Sequence, residues 1–139
     1  MSNHFMFHIC DFAFAISAKV VAQIWNFDGE EDRENGLFSA AKLLSLNVPQ
    51  ERHCIVFKPQ IANCDGKSIE NRVMLAIPAI EDEVIFAADF WRELPIISKI
   101  KRSQFLDAAA FYKEDVIFRI NPESIGKSLS DLSIESGAK

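Results

Sequence analysis

Apolar residues near the start of the chain recur at every second position. Phe5, Phe7 and Ile9 form one such run, and after the polar Asp11 the alternation resumes over residues 12–16. A period of two is the spacing of side chains along one face of a β-strand. Two alternating runs separated by a short polar step therefore predict a β-hairpin with a tight turn or a bulge.

More β-strands are predicted downstream, because short runs of β-branched and aromatic residues recur between turn-forming residues. These runs cover residues 20–27, 53–58, 72–77, 83–88, 104–112 and 116–120. The run at 104–112 also fits a helix, although a strand is favoured. Residues 59–70, which contain Asn63, Asp65 and Gly66, are predicted to form a turn-rich connection.

The period changes once, after Gly36. The apolar positions that follow fit the i, i+3, i+4, i+7 spacing of a helix, and they are Leu37, Ala40, Ala41 and Leu44. Asn47 and Pro49 end this pattern, since proline cannot continue a helix. The sequence thus predicts one short helix at about 37–46.

A second short helix is predicted near the end of the chain. Asn121 stands in a capping position before Pro122, a residue suited to the first position of a helix, and Gly126 is expected to end it. Residues 128–139 are polar and are predicted to be a tail. Residues 1–127 are then expected to form a single domain, which suits a chain of 139 residues.

The strand count and the aromatic content point to one fold class. About eight strands with little helix predict a mostly β protein built from closed or partly closed barrels. The chain has 12 Phe beside one Tyr. Phe adds apolar area without a polar atom, so these rings are expected to fill an interior.

Charge and composition restrict the partners. A net charge of −5 argues against binding to a nucleic-acid backbone, which requires clustered Lys and Arg. The sequence contains no apolar run long enough to insert into a membrane, and its N-terminus lacks the basic start of a secretory signal. Three cysteines at irregular spacing imply no disulfide framework, so a cytoplasmic location is predicted.

The sequence contains no recognisable catalytic motif. There is no glycine-rich phosphate loop, GxSxG elbow or HExxH helix. His8 with Cys10 and His53 with Cys54 do not have the spacing of a zinc site. We therefore expect no catalytic, cofactor-binding or metal-binding residues. The enzymatic alternative is a weak activity that pairs His53 with a carboxylate.

Four aromatic residues are candidates for binding another protein: Trp25, Phe27, Phe90 and Trp91. The first two precede an acidic segment, residues 28–34, and the other two lie between predicted strands. Either these rings cap the ends of barrels, or they are exposed anchors of the kind enriched in protein interfaces.

The order of the elements is itself informative. It comprises the opening hairpin, a strand with Val21 and Ile24, LFSAAKLLSLN (37–47), CIVFK (54–58), RVMLAIPAIEDEVIF (72–86), Leu94-Pro95, a strand ending at Phe111, and VIFRINPESI (116–125). This order resembles that of CheW-like chemotaxis coupling domains, over residues 5–125. In that family a DLxxLLGL-type helix follows the first strands, and here Ser39-Ala40-Ala41 replaces the usual pattern.

A second departure from the family is a missing segment. The family has a proline-rich approach and a GxxxLRGxxxPVxDL block between the third strand and the helix. This chain has only residues 28–34 and Gly36-Leu37 there. The resemblance therefore identifies a shortened, divergent CheW-like domain.

The resemblance implies a fold and a role. The fold is two small SH3-like β-barrels that share a hydrophobic seam. The role is a non-catalytic adaptor or scaffold in bacterial signal transduction, which contacts a chemoreceptor or a histidine kinase such as CheA. The alternative is a small-ligand-binding β-barrel sensor, since a Phe-rich barrel can enclose an apolar ligand.

Overall fold

The computed structural model describes residues 1–64, 67–71, 73–93 and 105–125. Within these ranges the chain is mostly β, as predicted, but it has twelve strands rather than eight. The strands are β1 (Ser2–Ile9), β2 (Phe12–Ser17), β3 (Val21–Asn26), β4 (Leu37–Ser39), β5 (His53–Phe57), β6 (Gln60–Cys64), β7 (Lys67–Asn71), β8 (Met74–Ile77), β9 (Asp82–Phe86), β10 (Arg92–Glu93), β11 (Leu106–Tyr112) and β12 (Asp115–Ile120). Three 3-10 turns lie at Ala18–Val20, Arg33–Asn35 and Ala88–Phe90.

Six strands form the first sheet, in the order β10-β11-β12-β2-β1-β9. The alternating runs at the start of the chain make the predicted hairpin, in which Phe7 lies opposite Phe14. Its turn contains Cys10, whose φ of 55° lies in the left-handed region. Strand β12 pairs with β2 in parallel, which brings the last described strand beside the opening hairpin.

Four strands form the second sheet, in the order β3-β5-β8-β4. The predicted strands at 20–27, 53–58 and 72–77 are its first three members. The first pairing places Trp25 opposite Cys54, and the second places Ile55 opposite Leu75. The favoured strand at 104–112 is also confirmed, as β11 in the first sheet.

The predicted helix at 37–46 is corrected in its bounds. Leu37–Ser39 is strand β4, which pairs in parallel with β8, and the helix α1 spans only Ala40–Leu43. Ser39 accounts for the boundary, because its Oγ accepts a hydrogen bond from the N–H of Lys42 as an N-cap does. The partner strand lies about 37 residues further along, so local periodicity does not reveal it.

Residues 59–70 are also corrected. The predicted turn-rich connection is a second hairpin, in which β6 and β7 pair antiparallel from Gln60–Asn71 to Cys64–Lys67. Asp65 and Gly66 lie outside the described residues, and the composition of the segment did not indicate the two strands on either side of them.

The short closing helix is confirmed and spans residues 122–125 (α2). The N–H of Glu123 donates to Asn121 Oδ1 at 3.1 Å, which is the predicted cap. The predicted end at Gly126, the tail at 128–139 and the Leu94-Pro95 step lie outside the described residues.

Buried side chains form two clusters. The larger, called here the seam, takes residues from both sheets and both helices: Phe7, Ile9, Phe14, Ile16, Phe38, Ala40, Ala41, Leu44, Ile55, Phe57, Val73, Leu75, Ile77, Phe105, Ile120 and Ile125. The smaller lies on the opposite face of the six-stranded sheet and contains Met6, Ala13, Ala15, Phe86 and Ile117. Each fully buried Phe or Ile contributes about 1.5–3 kcal/mol, so the seam is the main force joining the two sheets.

Candidate protein-binding surfaces

Three exposed apolar side chains line up across neighbouring strands of the six-stranded sheet. Phe111 on β11 lies opposite Val116 on β12. The parallel register that pairs Ile117 with Ala13 places the preceding residues, Val116 and Phe12, side by side on the same face. Their exposed fractions are 77% for Phe111, 40% for Val116 and 41% for Phe12. We call this set the apolar row.

A surface cleft adjoins the apolar row. It has a volume of about 310 Å³, and Phe111 and Val116 form one of its sides. Phe90 and Arg92 also line it, so the sequence candidate Phe90 lies beside the row. Contiguous exposed apolar surface bordered by a charged residue is the usual composition of a protein-binding site.

Trp25 lies on the other sheet. Its side chain is 52% exposed on β3, an edge strand, and Phe27 follows it half-buried. The acidic segment 28–34 comes next, where Glu31 accepts a hydrogen bond from the N–H of Ser39 at 2.8 Å. The structure therefore does not bring the four aromatic candidates together: Trp25 and Phe27 belong to one sheet, and Phe90 and Trp91 to the other.

Trp91 is a packing residue and is half-buried. Its ring packs against Phe86, Phe90 and His4, at centroid distances of 5.6, 5.5 and 5.1 Å. The guanidinium of Arg119 lies 5.2 Å from the ring centroid, in cation–π geometry, while its Nε donates to Asp107 at 2.7 Å. These contacts favour the interpretation in which this ring caps the end of a barrel.

His4 is buried beside Trp91 and is 1% exposed. Its Nδ1 lies 3.2 Å from the Ser2 carbonyl, whereas His4 Nε2 and Trp91 Nε1 have no hydrogen-bond partner among the described residues. Burial lowers the pKa of His4 below its usual 6.5, and the positive charge of Arg119 acts in the same direction. The imidazole is therefore neutral at pH 7.

This depressed pKa predicts acid sensitivity. Below pH 6.5 the unfolded chain protonates His4 before the folded chain does, so the free energy of unfolding falls as the pH falls through this window. One such group changes that free energy by at most about 1.4 kcal/mol per pH unit. Urea unfolding between pH 5 and 7 should show this slope in the wild type and a flatter one in His4→Phe.

A second group, the half-buried carboxyl of Glu51, also contributes to the pH dependence. Glu51 has the opposite sign: burial raises the pKa of its carboxyl above 4.5, so it favours folding when protonated. The contribution of the His4 imidazole is therefore the difference between the pH slope of the wild type and that of His4→Phe. Equal slopes would contradict the lowered pKa of His4.

Among the described residues, few side chains are placed for metal binding or catalysis. Within the described part of the chain, no group of three His, Cys, Asp or Glu side chains could hold a metal ion. His53 Nδ1 accepts a hydrogen bond from the N–H of Ile80 at 3.4 Å rather than facing a carboxylate. Burial raises the pKa of the Cys54 thiol, which keeps it in its unreactive protonated form.

The cavities lined by described residues differ in size and position. A void of about 10 Å³ lies in the seam between α1 and α2, which is about the least volume that holds one water molecule. A cleft of about 500 Å³ opens at the surface between the sheets, near Lys58 and Arg119. Within the described ranges, no helix is long and apolar enough to cross a bilayer.

The apolar row was missed from the sequence. Alternation alone puts Phe12 on the same face as Phe14, which is buried, and so predicts burial for both. The exposure of Phe12 follows from its position at the end of the sheet, next to a parallel strand 104 residues later. The one sequence feature that could have indicated the row is Phe111, which stands beside the charged turn 113–115.

Comparisons with known proteins give a structural match. No family model matches the sequence, and no curated protein matches it. Among solved structures, the chain is similar to the scaffolding protein TtCheW from Thermoanaerobacter tengcongensis, with a TM-score of 0.61 and 11% sequence identity. The match covers 86% of this chain and 84% of that one. The protein therefore has a CheW-like fold, two barrel-like β units around a shared core.

Proposed function

We propose that this protein is a non-catalytic adaptor or scaffold of bacterial signal transduction, acting in the cytoplasm through protein–protein contacts. Its partners on this proposal are a chemoreceptor or a histidine kinase such as CheA. Residues 1–127 act as one CheW-like unit. The exposed apolar row is the observation that carries the proposal, because it offers a binding surface on a fold that a scaffolding protein also has.

The composition of the surface supports this role. Phe111 is far more exposed than a Phe that serves only the core, and Phe90 and Arg92 border the cleft beside it. Aromatic and Arg side chains at the centre of an interface supply most of its binding energy. Among the sequence candidates, Phe90 fits such a surface best, whereas the ring of Trp91 packs against the ring of Phe90.

The ligand-binding alternative gains no support from the cavities. A drug-sized ligand needs an enclosed volume of roughly 300–1,000 Å³. Among the described residues, the void in the seam is about 10 Å³, and the two larger clefts lie at the surface.

The test uses purified proteins. The wild-type chain is titrated with the cytoplasmic fragment of a chemoreceptor and, separately, with a CheA kinase from the same organism. The double variant Phe111→Ser and Val116→Ser should weaken binding at least about tenfold, because each removes apolar area from the interface. Its melting temperature should stay near that of the wild type, since both residues are exposed.

Ile85→Ser is the matched control. Ile85 is 60% exposed and lies on β9, at the opposite edge of the sheet from β11. It should bind as the wild type does. Failure of both proteins to bind the wild type would reject the signalling role, whereas unchanged binding by the double variant would reject the apolar row as the site.

A further inference from the structure

The segment that links β9 to β10, residues 87–91, is held against the six-stranded sheet by aromatic rings; we call it the linking segment. It lies outside both strands, and within it the N–H of Phe90 donates to the Ala87 carbonyl at 3.1 Å. The Phe90 ring stacks in parallel on Phe86, with centroids 4.4 Å apart, and the Trp91 ring packs edge-on against both. Strand β10, which follows, has only two residues. The position of the linking segment therefore depends on the packing of its two rings.

His4 on β1 is the buried neighbour of this segment. Its ring centroid lies 5.1 Å from that of Trp91 and 5.5 Å from that of Phe86. The Ser2 carbonyl beside Nδ1 can only accept a hydrogen bond, so in the neutral ring Nδ1 carries the proton and Nε2 is an acceptor. Trp91 Nε1 is a donor, and among the described residues neither it nor His4 Nε2 has a partner. A neutral imidazole thus sets an acceptor beside a donor, whereas a protonated one sets two donors and a buried charge there.

Two charged side chains face His4 from other strands, Arg119 on β12 and Asp107 on β11. The positions opposite His4 on the adjoining strands are uncharged, namely Ser17 and Val84. Further charged groups at the ends of β1 and β9 and along residues 87–92 are exposed: the Met1 amino group, Asp82, Glu83, Asp89 and Arg92. Burial opposes a positive charge on His4 most strongly, and Arg119 opposes it too. The Ser2 carbonyl and Asp107 favour the charge, but Asp107 is already paired with Arg119, so the neutral form prevails in the folded chain.

The linking segment also shapes the cleft beside the apolar row. Phe90 belongs to the segment and Arg92 follows it directly, and both line that cleft together with Phe111. Trp91 stands between Phe90 and Arg92 in the chain, so its ring cannot leave its packing site without displacing them. Neither His4 nor Trp91 belongs to the seam, which joins the two sheets. The cleft can therefore be lost while the rest of the fold stays in place.

We propose that protonation of His4 releases the linking segment from the six-stranded sheet and so removes the cleft beside the apolar row. The charged imidazole no longer fits against Trp91 in a buried site, and the rings of the segment move into water. Because burial lowers the pKa of His4, the release takes place below pH 6.5. On the proposed function, on which this last step rests, the protein binds its partner at neutral pH and releases it in acid.

The test follows the fluorescence of Trp91. Trp25→Phe leaves Trp91 as the only Trp of the chain. Its emission is recorded from about pH 7.5 to about pH 4.5, the range in which a histidine of ordinary or lowered pKa titrates. The emission should move to longer wavelength as the ring enters water, with a midpoint below pH 6.5, while far-ultraviolet circular dichroism stays constant.

Two further substitutions in this background identify the titrating group. His4→Phe keeps an aromatic ring against Trp91 without a titratable nitrogen, so the emission should stay constant over the whole range. Arg119→Met removes the charge that opposes protonation and leaves Asp107 without its ion-pair partner, so the midpoint should move to higher pH. A purely structural role of Arg119 would loosen Trp91 at every pH and would not move the midpoint.

Trp91→Phe in the wild-type chain is the matched control, because the remaining Trp25 lies on the four-stranded sheet and should show constant emission. A Trp91 emission that moves only together with that of Trp25 and with circular dichroism would overturn the proposal, since the whole fold then unfolds at once. An equal shift in His4→Phe, or no shift at all, would overturn it as well. The measurement uses no partner protein, so its outcome is separate from the binding of a chemoreceptor or a kinase.

Discussion

Phe7→Ala is expected to lower the free energy of unfolding by about 3–5 kcal/mol, the cost of removing a buried aromatic ring. Phe7 is fully buried in the seam, and its ring stacks on Phe14 with centroids 5.9 Å apart. The seam is close-packed, with a void of only about 10 Å³. The neighbouring side chains therefore cannot fill the space left by the ring without strain. Urea unfolding followed by circular dichroism measures the change.

Phe111→Ala is the matched control for Phe7→Ala. Both substitutions remove the same ring from the same sheet, but Phe111 is 77% exposed. Its loss should change the free energy of unfolding by less than about 0.5 kcal/mol. Similar losses at the two positions would show that the burial assigned to Phe7 is wrong.

Trp91→Ala is expected to cost about 2–3 kcal/mol, somewhat less than a fully buried Trp, since the ring is only partly buried. The substitution removes the ring that covers His4 and Phe86 and leaves Arg119 without its aromatic partner. Thermal unfolding of the variant measures this loss. The result also separates the two interpretations of the aromatic candidates, because a pure binding anchor would leave the melting temperature unchanged.

Trp25→Ala is the control for Trp91→Ala. Trp25 is the same residue type on an edge strand, with about half of its surface exposed and only Cys54 opposite it. Measured at low protein concentration, its removal should cost less than about 1 kcal/mol. A large loss at Trp25 and a small one at Trp91 would reverse the roles assigned to the two rings.

Local sequence patterns were enough to predict the strands that carry the core. Alternation predicted the hairpin with Phe7 and Phe14, and a run of β-branched and aromatic residues predicted the strand containing Ile117. The many Phe in these strands also anticipated an interior built from aromatic rings, and Phe7, Phe38 and Phe57 are fully buried.

Long-range pairing explains what the sequence could not predict. The apolar residues of Leu37–Ser39 and of the segment after it have the spacing of a helix, yet Leu37–Ser39 pairs with β8 as a strand. The same holds for the candidate site: neither Phe12 nor Val116 signals its exposure, because both lie where the parallel strands β2 and β12 begin. The sequence left Trp91 open between a barrel-end cap and an exposed anchor, because its contacts with Arg119 and His4 join residues far apart in the sequence.

The dependence of both sheets on one buried seam is tested most directly with a single fluorescent reporter. Trp91→Phe leaves Trp25 as the only Trp, so its emission follows the unfolding of the four-stranded sheet. Phe7→Ala, made in that background, alters the six-stranded sheet instead. If the seam joins the sheets, the urea transition seen at Trp25 shifts by the full 3–5 kcal/mol expected for Phe7, that is, by about the same amount as in circular dichroism. A Trp25 transition that does not move would mean that the two sheets fold independently.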